Sequence, residues 1–485
     1  MMQAYSFKSG VRRGLLAACL SVAPAFAVAA ARDCGLAQPA FCDTFDAPAG
    51  TGNRSGDLDG KVWGVSRELG AFNSGQGQYN SASPVLMDRC GSAVTVAPPN
   101  DVAICNGRLV EAQYDQHGVT SIAMYPKQPF DFAGRTGTVA FDVSDDTHGS
   151  HRAWPEFWMT DRPMPTPFTH FSSLQSVPFN GFGVRFAAFC PPSPPGDPGC
   201  GVRFVCPDEP LDVPVVTVDS AVVVSDYLSN DSFTDVTPGT IAVQAVGCVK
   251  ASSGPGDMNH FELHVSQSGI DVYGTDAGTS APLKKIATIG NVTLPLTRGL
   301  IWIEDVHYNG DKEGIDQGTH TFSWDNVGFD GPILPRDLAF DVLDRQQPMD
   351  PTGIYAGLIN LGWPLAPNAP LALTVPGVYR IDHASGALLT LNLVSDNPVA
   401  LSYRLNGGVW HTYAYPFPPC YMQNGITSCG YKTYAIPVST SEIVAGDNML
   451  ELSPDDYAAV ANVDLILVGA GGVVGPDEIF ADGFQ

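Results

Sequence analysis

The chain predicts an all-β protein built as two sandwiches in tandem, and three observations carry that prediction. Polar and apolar residues alternate with period two in runs such as Phe261-Glu262-Leu263-His264-Val265, the pattern of strands with one buried face. The 51 glycines and 40 prolines are scattered between short strand-like runs rather than gathered in one tract, as in a chain with many turns. Without its leader the chain keeps about 450 residues, more than one core usually supports, so two domains are expected.

The order along the chain begins with residues 1–31, which read as a secretory signal. Lys8, Arg12 and Arg13 precede an apolar run from Gly14 to Ala31, with small-residue cleavage options at Ala25-Phe26-Ala27 and Ala29-Ala30-Ala31. Leu16-Ala17-Ala18-Cys19 imitates a lipoprotein box, but only five residues separate Arg13 from Cys19. The expected location is secreted or cell surface. Removing the three basic residues takes the formal charge from −25 to −28. Such a surface repels nucleic acid and anionic lipid, and no second apolar run is long enough to span a bilayer. A neutral polysaccharide or glycan is the compatible partner, and a monomer is expected.

Ten cysteines remain after the leader, an even number that suits disulfides in an oxidising compartment. Cys34 with Cys42, Cys90 with Cys105 and Cys420 with Cys429 have the spacing of local staples. Cys190, Cys200, Cys206 and Cys248 are left to pair among themselves in an open order. Zinc is the rival reading, but no Cys-x-x-Cys occurs.

The first unit is read over 32–335, with strands at 107–112, 120–125, 134–143, 154–159, 183–189, 261–265, 269–273, 300–303 and 319–329. Residues 190–248 read as a disulfide-tied insertion, opened by Pro191-Pro192-Ser193-Pro194-Pro195 and holding an apolar strand at 213–224. Residues 336–352 read as a junction and linker. The second unit, 353–470, contains strands near 371–375, 377–382, 388–394, 399–405, 434–437, 449–452 and 463–468. That number of short strands points to an immunoglobulin-like or galactose-binding-like sandwich. Residues 471–485 form a Gly-rich spacer and an acidic-aromatic tail.

The strand order that ends in Trp154-Pro155-Glu156-Phe157-Trp158-Met159 resembles the concanavalin A-like lectin/glucanase superfamily, most closely the laminarinase-type glycoside hydrolases of family 16. The resemblance covers most of 100–335 and implies a jelly-roll sandwich with a sugar-facing sheet. In that family the next strand carries Glu-x-Asp-x-Glu, which supplies nucleophile and acid/base. No Glu-x-Asp-x-Glu occurs in this chain, so the implied function is a carbohydrate-binding, non-catalytic lectin. Thr321 to Phe329 resembles the closing strand, where the family places an aspartate on structural calcium. The resemblance implies Asp325 as a Ca2+ ligand, joined by Asp43 and Asp46 from the opening strand.

Several residues stand out as candidates for the groove. Trp154, Glu156 and Trp158 share one phase of their strand, which places a carboxylate between two indoles. Trp302 and Glu304 share a phase in a second strand, with His307, Tyr308 and Asp311 just beyond. A tryptophan beside a carboxylate suits a pyranose, whose C–H face stacks on the indole while its hydroxyls reach the acid. The expected carbohydrate-binding set is therefore Trp154, Glu156, Trp158, Trp302, Glu304 and His307. Glu156 and Glu304 are also the catalytic candidates in the alternative reading, a glycoside hydrolase or polysaccharide lyase with relocated acid and base. Asp161 is a further tempting carboxylate. His260, Glu262 and His264 emerge from one face of their strand and read as a polar sheet face rather than a metal site. A surface structural or adhesion protein is the third reading. His148-Gly149-Ser150-His151 and Gly278-Thr279-Ser280 imitate subtilase fragments without the α/β context such a triad needs.

Overall fold

In the computed structural model, the described residues are 34–49, 56–69, 102–115, 119–145, 153–162, 179–188, 215–226, 242–252, 257–278, 282–290, 294, 296–308, 318–343, 359–362, 370–394, 400–414, 431–455 and 458–473, with two- and three-residue strand fragments between them. The signal, Cys90, Cys190, Cys200, Cys206, Cys420, Cys429, Asp311 and the C-terminal tail lie outside these residues.

Strands follow one another through the larger sandwich: β1 Pro39–Asp43, β2 Trp63–Leu69, β3 Val102–Ile104, β4 Leu109–Asp115, β5 Val119–Pro126, β6 Phe130–Asp131, β7 Gly137–Asp145, β8 Ala153–Thr160 and β9 Phe179–Ala188. They continue as β10 Val215–Asp226, β11 Ala242–Ala245, β12 Val249–Lys250, β13 Asn259–Ser266, β14 Gly269–Gly274, β15 Lys284–Gly290, β16 Arg298–Tyr308 and β17 Gly318–Asp330. One sheet has the order β11-β15-β14-β13-β7-β17-β4, with β1 on β17 and β3 on β4. The other has the order β12-β10-β9-β8-β16-β5-β2, with β6 on β16. The all-β, two-sheet architecture expected from the alternation is present.

The core lies between these sheets. Phe157 and Met159 of β8, Ile301 and Ile303 of β16, and Phe182, Val184 and Phe186 of β9 pack against Phe141, Phe261, Leu263 and Trp324 of the facing sheet. Phe141 sits at the centre, with its ring centroid 5.5–5.8 Å from those of Phe157, Phe186, Phe261 and Trp324. Alternation therefore leaves the even-numbered positions of β8 and β16 and the odd-numbered positions of β9 on the outward face. Residues 215–226, which the sequence places in an insertion, are instead a full strand of this sheet. Nine register pairs tie β10 to β9, because an apolar, β-branched run gains more from a neighbouring strand's ladder than from a loop.

Near the N-terminus, Cys34 and Cys42 form the expected disulfide, with Cα atoms 5.8 Å apart. Cys105 and Cys248 are each in a disulfide too, with partners outside the described residues.

The smaller sandwich contains β18 Arg336–Leu343, β19 Ile359–Gly362, β20 Leu371–Val378, β21 Gly386–Val394, β22 Ala400–Leu405, β23 His411–Ala414, β24 Tyr431–Val438, β25 Gly446–Pro454 and β26 Ala458–Gly472. One sheet runs β24-β21-β26-β18 with β19 on β26, and the other runs β20-β25-β22-β23. Their inner faces meet through residues such as Leu389, Leu391, Leu401, Leu405, Leu450 and Leu465. Residues 336–343, read from the sequence as a junction, pair along β26 as an integral strand.

Asp337 couples the two sandwiches. Its N–H donates to Lys127 O at 2.9 Å, and its Oδ1 accepts from Gly469 N–H at 2.7 Å. Burial pushes its pKa up to about 6, against the Gly469 hydrogen bond and the Lys127 charge, which pull it down. The folded chain thus holds a proton that the unfolded chain releases between about pH 4 and pH 6, so this group costs stability as pH rises through that window. Asp337→Asn is expected to flatten that part of the pH profile and to add about 1–2 kcal/mol at pH 7.5. Urea unfolding at pH 4.5 and 7.5 checks this, and an unchanged profile would remove Asp337 as the cause.

Candidate functional site

The outward face of the β12-β10-β9-β8-β16-β5-β2 sheet carries two adjacent rungs of side chains. Register pairs Arg185 of β9 with Glu156 of β8, and Glu156 with Glu304 of β16. Glu304 is in turn opposite Ala123 of β5. One step along, Gly183 faces Trp158, Trp158 faces Trp302, and Tyr125 pairs with Gly64. Directly opposed strand positions hold their Cβ atoms about 4.5–5.5 Å apart, so the two glutamates are immediate neighbours, as are the two indoles.

The aromatic rung lies flat on the sheet, bounded by a glycine at each end. The Tyr125 and Trp302 ring centroids are 4.2 Å apart. A Cβ on Gly183 would stand 2.7 Å from Cε2 of Trp158. A Cβ on Gly64 would run into the Tyr125 ring. Glycine weakens a strand interior unless something must approach closely, and here the approaching groups are rings.

Hydrogen bonds lock the rungs together. Trp158 Nε1 donates to Glu156 Oε2 at 2.9 Å, and Trp302 Nε1 donates to Thr160 Oγ1 at 2.9 Å. Thr160 Oγ1 in turn donates to Arg162 O at 2.7 Å. Glu156, Trp158, Trp302 and Glu304 are each 0% exposed, while Arg185 is half-buried. At the Thr160 end, Asp161 accepts from Asn180 Nδ2 at 2.8 Å and pairs with Arg162 at 3.2 Å.

Of the expected groove residues, the structure brings together Glu156, Trp158, Trp302 and Glu304. The side chains of Trp154 and His307 lie outside the described residues. Sequence reading missed Arg185, Thr160, Tyr125 and the two glycines. The available signal was Gly181-Phe182-Gly183, since two glycines at i and i+2 of a strand mark a face on which something lies close.

The expected calcium ligands behave differently. Asp43 is committed: its Oδ2 accepts from Trp63 Nε1 at 2.7 Å and its Oδ1 from Phe45 N–H at 2.9 Å. Asp46 Oδ2 accepts from Thr44 Oγ1 at 2.6 Å. Asp325 lies at a bulge in β17, where Asn326 takes φ 50° and the register against β7 shifts. Burial pushes Asp325 up to about 7, helped by the Asp142 and Asp46 charges and opposed by the Asn326 N–H and Arg108. No set of three or more His, Cys, Asp or Glu able to hold a metal occurs among the described residues. Asp43, Asp46 and Asp325 thus each accept a hydrogen bond from within the chain, and calcium at these three residues stays a proposal.

His260, Glu262 and His264 do share the outer face of the other sheet, as a hydrogen-bonded chain. His260 Nδ1 meets Asp142 Oδ1 at 2.5 Å, and His264 Nε2 meets Glu262 Oε2 at 2.8 Å. Asp142 Oδ2 accepts from Asn326 Nδ2 at 2.7 Å. A pocket of about 280 Å³ opens beside them, lined in part by Glu262, Arg135 and Asp330.

No family model matches the chain, and no curated protein matches it. Solved structures with similar folds include the exoplasmic/lumenal domain of VIP36 in its Ca2+/Man2-bound form, at 14% identity and TM-score 0.30 over 50% of this chain and 86% of that one. A protein of unknown function with a galectin-like fold from Bacillus subtilis aligns at 8% identity and TM-score 0.31, over 60% and 96%. A glycosyl hydrolase family protein from Mycobacterium fortuitum aligns at 11% identity and TM-score 0.30, over 60% and 99%. Scores this low carry no inference about ligand or activity.

Proposed function

We propose that this chain is an exported carbohydrate-binding protein whose larger sandwich presents a sugar-facing sheet without cleaving the sugar. One observation supports this above the others. Strand β9, the neighbour of the Trp-Pro-x-Phe-Trp strand, offers Gly181, Gly183 and Arg185 on its outward face, and the Trp158 indole lies over Gly183. The hydrolases that the sequence resembles need carboxylates there; β9 has none. The centre of the two rungs is covered, so a glycan meets them from their half-buried ends, Arg185 on one side and Asp161 with Asn180 on the other. Guanidinium, carboxylate and amide groups at those ends supply donors and acceptors for hydroxyls.

A second reading, a glycoside hydrolase, draws on the register pairing of Glu156 with Glu304. Retaining hydrolysis uses two carboxyl groups about 5–5.5 Å apart, one protonating the glycosidic oxygen while the other attacks the anomeric carbon. Register sets the Cβ atoms of the two glutamates about 4.5–5.5 Å apart, so their carboxyl groups are near neighbours.

Reducing-end release from β-glucans, galactans and uronates, measured beside retention on the same polymers, separates the readings. Retention without release is expected, with Arg185→Ala weakening retention. Release that falls by about a thousandfold in both Glu156→Gln and Glu304→Gln would establish the hydrolase instead. Absence of both retention and release would leave the structural or adhesion reading.

A further inference from the structure

The smaller sandwich carries an aromatic group that its own fold does not use. Asn406 and Gly407, both at positive φ (52° and 69°), turn the chain between β22 and β23. The hairpin then pairs Tyr403 with His411 and Ser402 with Thr412, which sets Trp410 opposite Arg404. Trp410 is 38% exposed, and the Arg404 guanidinium carbon lies 4.6 Å from its ring centroid. Arg404 is held in place by a two-point contact with Glu451 of β25, Nε to Oε2 at 2.5 Å and Nη2 to Oε1 at 2.8 Å. Ser402 and Thr412 share a hydrogen bond at 2.8 Å on the same outer face of the sheet, and Met449, on the far side of Arg404 and Glu451, is 46% exposed.

We infer that this outer sheet face is a second saccharide-binding surface, with Trp410 as the stacking platform and the Arg404–Glu451 pair and the Ser402 and Thr412 hydroxyls as hydrogen-bonding partners. The charges on the face cancel between Arg404 and Glu451, so they attract neither an anion nor a cation. The chain as a whole is acidic, at −25, which further disfavours an anionic ligand. A neutral ligand with an apolar C–H face and many hydroxyls satisfies both the indole and the fixed donors and acceptors, and a neutral pyranose chain has that chemistry. The guanidinium occupies part of one side of the ring and fixes its orientation, so the platform is rigid before a ligand arrives. This inference does not depend on the reading of the larger sandwich.

The test uses the full chain in native affinity electrophoresis through gels containing soluble neutral β-glucan, mannan or xylan. Retardation by at least one polymer is expected. Trp410→Ala should weaken it about tenfold or more, with an unchanged thermal transition because the ring is at the surface. Trp410→Phe should restore part of the binding by returning a smaller ring. Retardation that survives Trp410→Ala at full strength overturns the inference, as does a wild-type chain that none of the polymers retards. Loss in Arg185→Ala with retention in Trp410→Ala would uphold the larger sandwich's site and sink this one; the reverse outcome would uphold this one alone.

Discussion

Gly183→Ala is expected to cost about 3–4 kcal/mol of folding stability, far more than alanine for glycine costs in an ordinary strand. The new methyl would stand 2.7 Å from Cε2 and 2.8 Å from Cδ2 of Trp158. That ring cannot yield cheaply: it is fully buried, faces Trp302 in register, and donates its Nε1–H to Glu156 at 2.9 Å. Overpacking contributes about 1–3 kcal/mol, and leaving a buried indole N–H or glutamate oxygen without its partner adds about 1–3 kcal/mol. Urea unfolding gives the cost, and a double-mutant cycle gives its origin. Once Trp158→Ala has removed the ring, adding Gly183→Ala should cost less than about 1 kcal/mol. If the alanine costs the same with and without the indole, the close approach is not the cause, and the glycine is required by backbone geometry alone.

The particular residues show how far the sequence could be read. Alternation in β7, β8, β13, β16 and β17 identified the core face, because a single buried face forces period two, and Phe141, Phe157, Phe261, Ile301 and Phe322 all turn inward. It also placed Glu156 with Trp158, and Glu304 with Trp302. It could not align β8 with β16, since register is a relation between strands about 140 residues apart, and no local pattern encodes it. For the same reason Arg185 was invisible: it joins the rung only because β9 pairs with β8. Asp43 reads as a calcium ligand, and its hydrogen bond from Trp63, twenty residues away, is not legible in any local pattern. The strand at 215–226 was legible as a strand and illegible as a member of the main sheet.

Folding stability should also fall by about 2–3 kcal/mol as pH rises from 6.5 to 9, with His260 as the source. Burial by itself would lower the pKa of this imidazole. The hydrogen bonds to Asp142 and Glu262, and the charges of those two carboxylates, outweigh burial and raise it to about 9 from the ordinary 6.5. A base whose pKa is raised on folding stabilises fully below its unfolded value and loses that contribution as pH climbs through its folded value. Glu262 bears the opposite shift: its hydrogen bond with His260 leads the effects holding its carboxyl below the usual range, against desolvation. Its contribution is present above about pH 4.5 and lost in acid, so the His260–Glu262 pair predicts a plateau between about pH 4.5 and 6.5. The imidazole is 28% exposed and its two carboxylate partners about 20%, shielded enough for the coupling to persist in moderate salt. Thermal unfolding of the full chain at pH 6 and pH 9.5 measures the fall. His260→Asn, whose amide nitrogen matches the Nδ1 position that meets Asp142 but carries no charge, should lose stability at pH 6 and lose most of the slope. A variant that keeps the wild-type slope from pH 6.5 to 9 would assign that slope to another group.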